Sequence, residues 1–201
     1  MKNNDFTHFA DRVAEVLRKA AIEVEEMDLQ FALGKAEAKD KYEELKSEFN
    51  DFVQESKRKL DAGKEKADEI RAQLEELRVQ LALGKAETLD AFREQKKKIL
   101  REVNALETKI KTNDTLSNMY AYILIEIEMF KVRLEILEDK FEEKKEVSKE
   151  AFERGKQEFN RAVEGIKTTF SAKEEEKGRW DEFQSEISQA FDHLKAAIKS
   201  V

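Results

Sequence analysis

The sequence predicts an all-α protein, and three observations lead to that prediction. The chain of 201 residues contains no proline and only six glycines, so the commonest helix breaker is missing. Charged residues make up 41% of the chain and hydrophobic residues 40%, in the Ala, Glu, Lys, Leu and Arg mixture typical of long helices and coiled coils. Apolar residues recur at steps of three and four, which is the spacing of one helix face.

One motif is written four times along the chain. An aromatic residue is followed four positions later by a lysine, and three positions after that by Phe or Ile. The two apolar residues are two helical turns apart, so they share one face with the lysine near its edge. We interpret each copy as a packing unit of a helix-helix seam. The apolar residues of this predicted seam are Tyr42, Phe49, Phe92, Ile99, Phe152, Phe159, Phe191 and Ile198.

Longer similarities surround these copies and indicate internal duplication. The segment 29–37 returns fifty residues later as 79–87, and both contain Leu-Gly-Lys-Ala-Glu. A second offset, of 110 residues, aligns the apolar residues of 22–53 with those of 132–163. Repeats of this length predict a helical array or an elongated helical assembly.

The first predicted arm covers residues 5–110. Its apolar stripe starts at Phe6 and continues to Ile110, with steps that average close to 3.6 residues per turn and therefore predict long helices with little supercoil. Gly34, Gly63 and Gly84 fall on this stripe. Because glycine weakens a helix interior, we interpret these positions as points of close backbone approach.

The main predicted turn lies near 111–118, where Asn113 can end one helix and Asp114, Thr115 or Ser117 can cap the next. The second arm then covers 118–201, and the preferred fold is a single elongated domain, 1–201, built as an antiparallel helical hairpin or coiled coil. Further turns, near Gly63 and near Ser171 or Gly178, would instead give a three- or four-helix bundle of unequal helices.

The segment 125–136 carries two apolar stripes if it is helical. One stripe can pack on the other arm. The second then requires another partner, which is either a second copy of the chain or a further helix of the same chain. The residues of this predicted self-association stripe are Ile125, Met129, Val132 and Ile136.

Charge and motif content restrict the chemistry. The net charge is −7 with both signs interleaved, which is typical of a solvated helix surface and opposes binding to nucleic acid. No phosphate-binding loop, nucleophile elbow or metal-binding helix motif occurs, so we expect no enzyme activity, cofactor or metal.

The two histidines, His8 and His193, are interpreted as surface residues. The N-terminal segment lacks the apolar core of a secretory signal, and no run of about 20 apolar residues occurs, so a cytoplasmic protein is expected.

These features favour a non-enzymatic structural or interaction protein that self-associates and presents helix faces to protein partners. A homo-oligomer is expected. The alternative is a peripheral coat on a membrane or an apolar granule, which would use the amphipathic segments 6–17 and 180–201, where large aromatics lie beside lysines.

Overall fold

The computed structural model describes residues 2–30, 35–62, 67–112, 118–142, 149–172 and 179–199. Within these ranges the regular structure is helical throughout, which confirms the all-α prediction. The helices are α1 (Lys2–Gln30), α2 (Lys35–Ala62), α3 (Asp68–Ala82), α4 (Leu89–Lys111), α5 (Asn118–Phe141), α6 (Lys149–Ala172) and α7 (Arg179–Lys199).

Neither predicted arm is a single helix. The arm 5–110 contains α1 to α4, and the arm 118–201 contains α5 to α7. Helix α4 ends at Lys111 and α5 begins at Asn118, where the main turn was predicted. Helices also end at Ala62 and Ala172, next to the two positions where further turns were left open. The predicted caps at 114, 115 and 117 lie outside the described residues.

The repeated Leu-Gly-Lys-Ala-Glu segment marks a connection between helices, and the interpretation of Gly84 as a helical packing position is wrong. Helix α3 ends at Ala82, and Leu83 is extended with φ −84° and ψ 135°. Gly84 follows with φ +72°, a left-handed conformation that only glycine adopts without strain. Thr88 then caps α4, because its side-chain oxygen accepts a hydrogen bond of 3.1 Å from the Ala91 amide. The equivalent Gly34, and Gly63, lie outside the described residues.

The chain divides into two compact units, which differs from the single domain expected over 1–201. The first unit contains Met1–Gln30, Asp114–Val132 and Lys145–Val201; the second contains Phe31–Asn113 and Arg133–Lys144. In the first unit α6 packs against both α1 and α7. In the second unit α3 packs against both α2 and α4. Helix α5 contributes its beginning to the first unit and its end to the second.

Each unit has its own apolar core of large side chains that are at most 2% exposed. Helices α1, α6 and α7 and the start of α5 supply the first core, which includes Val13, Leu17, Val24, Ile127, Phe130, Phe159, Val163, Phe183, Phe191 and Leu194. Helices α2, α3 and α4 and the end of α5 supply the second, which includes Tyr42, Leu45, Val53, Leu74, Leu77, Phe92, Val103, Ile110, Leu134 and Phe141.

We expect the substitution Gly84→Ala to lower the free energy of unfolding by about 1–2 kcal/mol, because alanine is strained in the left-handed region. An added Cβ would also lie 2.5 Å from Nε2 of Gln95, which would have to move. The matched control is Gly165→Ala within α6, where a Cβ meets nothing within 4 Å. Alanine there should raise stability by up to about 1 kcal/mol. Urea unfolding followed by circular dichroism measures the stability of both variants. Equal changes in the free energy of unfolding would contradict a left-handed conformation at Gly84.

Candidate functional site

The predicted seam residues are buried, but they are shared between the two units. Six of the eight have described side chains, and their exposed fractions are 4% or less: Tyr42, Phe49, Phe92, Ile99, Phe159 and Phe191. The side chains of Phe152 and Ile198 lie outside the described residues. The first and second copies of the motif meet in one unit, and the third and fourth meet in the other.

Aromatic contacts join the copies in pairs. The rings of Tyr42 and Phe92 meet edge-on with centroids 4.9 Å apart. Phe159 and Phe191 meet in the same way at 5.5 Å. Phe92 also stacks on Phe141 at 4.7 Å. Edge-on and offset contacts of this kind stabilise the fold beyond the burial of apolar area. The paired copies of the motif therefore stabilise each other.

Every lysine of the motif contacts an oxygen atom outside its own helix. Lys96 contacts Glu138 at 2.5 Å, and Lys195 contacts Glu128 at 2.7 Å. Lys156 donates to Glu25. The first lysine, Lys46, donates to the backbone carbonyl of Gly84 at 2.9 Å. The lysine is therefore a second structural element of the motif, which bonds the helix to its neighbour beside the buried ring.

Lys46 is the most buried of these lysines, with 4% of its surface exposed. Its ammonium nitrogen lies 5.2 Å from the centre of the Tyr42 ring and 3.3 Å from a carboxylate oxygen of Glu43. Burial, together with the nearby Glu43 charge, raises the pKa of Tyr42 above its ordinary value. The neutral phenol donates a hydrogen bond of 3.1 Å to Oε1 of Gln95. Two buried side chains of α2, Lys46 and Tyr42, thus bind the Gly84 carbonyl on the α3–α4 connection and the Gln95 side chain on α4.

Glu138, at the end of α5, accepts two charged donors from α4. Its carboxylate oxygens lie 2.5 Å from the Lys96 ammonium and 3.1 Å from the Arg93 guanidinium. Partial burial acts to raise the pKa of Glu138, but the hydrogen bonds and charges of Lys96 and Arg93 outweigh burial and lower it. The folded state therefore favours the ionised carboxylate.

The predicted self-association stripe on α5 is an interior surface. Ile125, Met129, Val132 and Ile136 are all exposed by 5% or less within the single chain. The structure corresponds to the other alternative for this stripe, in which segments of the same chain cover it. Within the single chain these four residues have no free face, and self-association through them stays an untested prediction.

The terminal segments also direct their described apolar side chains inward. Val13 and Leu17 of α1, and Phe183 and Leu194 of α7, are fully or almost fully buried. The side chains of Phe6, Phe9 and Trp180 lie outside the described residues. A lipid surface would therefore meet a charged outer face on the described parts of both segments.

The described residues contain no group of three acidic or histidine side chains placed to hold a metal ion. His193 lies with its Nδ1 atom 3.0 Å from a carboxylate oxygen of Glu158 and is 43% exposed. His8 lies outside the described side chains. None of the helices that the structure describes is both long enough and apolar enough to cross a bilayer.

No protein-family model, curated protein or solved structure matches this chain. The structure pairs the motif residues with Gln95, Glu128 and Glu138, among others. The partners Gln95, Glu128 and Glu138 were not predicted, because amides and carboxylates on a charged surface carry no sequence signal of their own. Gly84 did carry one, since it stands in a repeated segment.

We expect Met129→Lys to lower the free energy of unfolding by about 3 kcal/mol or more, because an ammonium group would be buried in the first unit without a partner. Gln157→Lys is the control. Gln157 lies on α6 of the same unit, is exposed, and should change stability by less than about 0.5 kcal/mol. A stable Met129→Lys protein of smaller mass in solution would instead identify this stripe as a subunit interface.

We expect Glu138→Gln to cost about 1 kcal/mol of stability at neutral pH and less as the pH falls. A lowered pKa in the folded state stabilises the protein above the ordinary glutamate pKa of about 4.3, and the contribution is lost as the pH falls through the folded-state value. Urea midpoints across this range measure the effect. The control is Glu94→Gln on the exposed side of α4; a pH-independent cost of Glu138→Gln would contradict the assignment.

Proposed function

We propose that this chain is a non-enzymatic structural protein of the cytoplasm, which self-associates and presents helix faces to protein partners. The observation that supports the proposal most directly is the use of the repeated motif. Its rings are buried and its lysines are bonded to neighbouring segments, so the most repeated part of the sequence builds a helical framework.

The outer faces of the helices are suited to selective polar contacts. Ion pairs between neighbouring helices lie on the surface of the second unit, for example Lys57 with Glu75 at 2.8 Å and Lys109 with Glu69 at 2.5 Å. Hydrogen bonds from those lysines lower the pKa of both glutamates. Mixed charges of this kind contribute little stability but select partners by sign and position.

We propose self-association through a surface other than the α5 stripe, which is covered within the single chain. Among the described residues, the large hydrophobic side chains left exposed are Ile22 at 50%, Val79 at 52% and Leu83 at 54%. Ile22 belongs to the first unit, whereas Val79 on α3 and Leu83, which follows α3, belong to the second. We place the contact between copies at one of these two positions.

The peripheral coat is a weaker candidate. Binding of lipid by segments 6–17 and 180–201 would require the buried faces of α1 and α7 to leave the first core. Flotation of the intact protein with neutral and anionic vesicles tests this alternative; co-flotation that is lost on deleting either segment would replace the scaffold proposal.

Sedimentation equilibrium tests the self-association. We expect a mass of at least two chains for the intact protein, and a shift towards one chain in either Ile22→Lys or Val79→Lys. Both positions are exposed, so each variant keeps its fold and is the control for the other. A single-chain mass for the intact protein at all concentrations would refute self-association.

A further inference from the structure

A groove in the second unit lies where α3 ends and its connection meets the face of α4. Its volume is about 400 Å³, within the range of small-molecule sites. The groove belongs to neither the buried seam nor the α5 stripe. Its lining residues are Gln80, Leu83, Gly84, Gln95, Lys98 and Arg101.

Two groups of the groove are held in place by buried side chains of α2. The carbonyl of Gly84 accepts from Lys46, and Oε1 of Gln95 accepts from Tyr42. Because the Gln95 oxygen is used in this way, its Nε2 atom is left next to Gly84, 2.5 Å from where a Cβ would be. Within the described chain this amide group has no acceptor. A donor that is positioned by buried partners is the usual construction of a binding site.

The groove also has an excess of about one positive charge. Arg101 pairs with Glu102 at 2.9 Å, so their charges compensate. Lys98 has no ion-pair partner in the part of the chain that the structure describes, unlike Lys96 and Arg93 on the same helix, which bind Glu138. A cation left unpaired in a protein of net charge −7 favours an anion as the missing partner.

The other wall of the groove has one large apolar side chain. Leu83 lines it and is 54% exposed. Burying this surface against a hydrocarbon group would be favourable by about 25 cal/mol per Å². The groove therefore offers a polar donor, one uncompensated positive charge and an apolar wall to one ligand.

From this geometry we infer that the groove binds a small monocarboxylate with an aliphatic tail. Lys98 meets the carboxylate, Nε2 of Gln95 donates to one of its oxygens, and Leu83 contacts the tail. One carboxylate matches one uncompensated lysine, whereas a phosphate monoester would bring a second negative charge. This inference is compatible with self-association through Ile22, whereas a contact between copies at Val79 and Leu83 would compete with the ligand for Leu83.

Isothermal titration calorimetry of the intact protein with octanoate tests the inference, and acetate and 1-octanol are the comparison ligands. We expect saturable binding of octanoate that is at least about tenfold tighter than binding of acetate, which lacks the tail, and of octanol, which lacks the charge. Absence of saturable octanoate binding would overturn the inference. Acetate binding as tight as octanoate binding would also overturn it, since the apolar wall would then contribute nothing.

Two lysine variants locate the site. Lys98→Glu should weaken octanoate binding by at least about tenfold, because the charge that meets the carboxylate is reversed. Lys97→Glu changes the net charge equally and is also exposed on α4, but Lys97 does not line the groove; its affinity should stay within about twofold of the unmodified protein. Equal losses of octanoate affinity in the two variants would assign the binding to general electrostatic attraction and refute binding in the groove.

Discussion

The fold depends on burying a large aromatic ring beside a lysine that reaches a neighbouring segment. Replacing a buried ring by alanine typically costs about 3–5 kcal/mol, so each described copy of the motif accounts for a large share of a domain's net stability. The rings of different copies contact each other, Tyr42 with Phe92 and Phe159 with Phe191. Burial and pairing therefore act on the same residues.

The lysine of the motif limits how far a helix can shift along its neighbour. An apolar stripe alone tolerates small shifts of one helix along another, but a partly buried ammonium group is costly unless an oxygen atom receives it. Besides acidic residues of their own helices, Lys195 contacts Glu128 and Lys46 contacts the Gly84 carbonyl, and these two contacts require the neighbouring segment to be in its observed position. The motif thus combines a non-specific source of stability with a polar contact that fixes register. The same contact of Lys46 also shapes the groove beside α4, so framework and candidate site share their supporting residues.

Helix α5 carries two apolar stripes, and both are buried within the single chain. Its residues up to Val132 belong to the first unit, and those from Arg133 belong to the second. A helix that is apolar on more than one face is expected to be buried, and its four residues predicted for self-association are indeed interior. The surface open to other molecules is consequently found elsewhere, on the charged helix faces and at the end of α3.

The sequence by itself determined the helical fold, the main helix boundary near 111–118, and the burial of the six described seam residues, because helix propensity and apolar spacing are local properties. It also placed the lysine at the edge of each face. Further breaks near Gly63 and near Ser171 were left open by the sequence, and the structure decided between the alternatives; it also ended α3 before Gly84, which the apolar stripe includes. The tertiary structure also determined that Glu138 and Glu128, among the chain's 45 acidic residues, bind Lys96 and Lys195. It likewise buried the second apolar stripe of α5 within the chain. Those outcomes depend on which distant segments meet, and the spacing of residues along one helix contains no information about that.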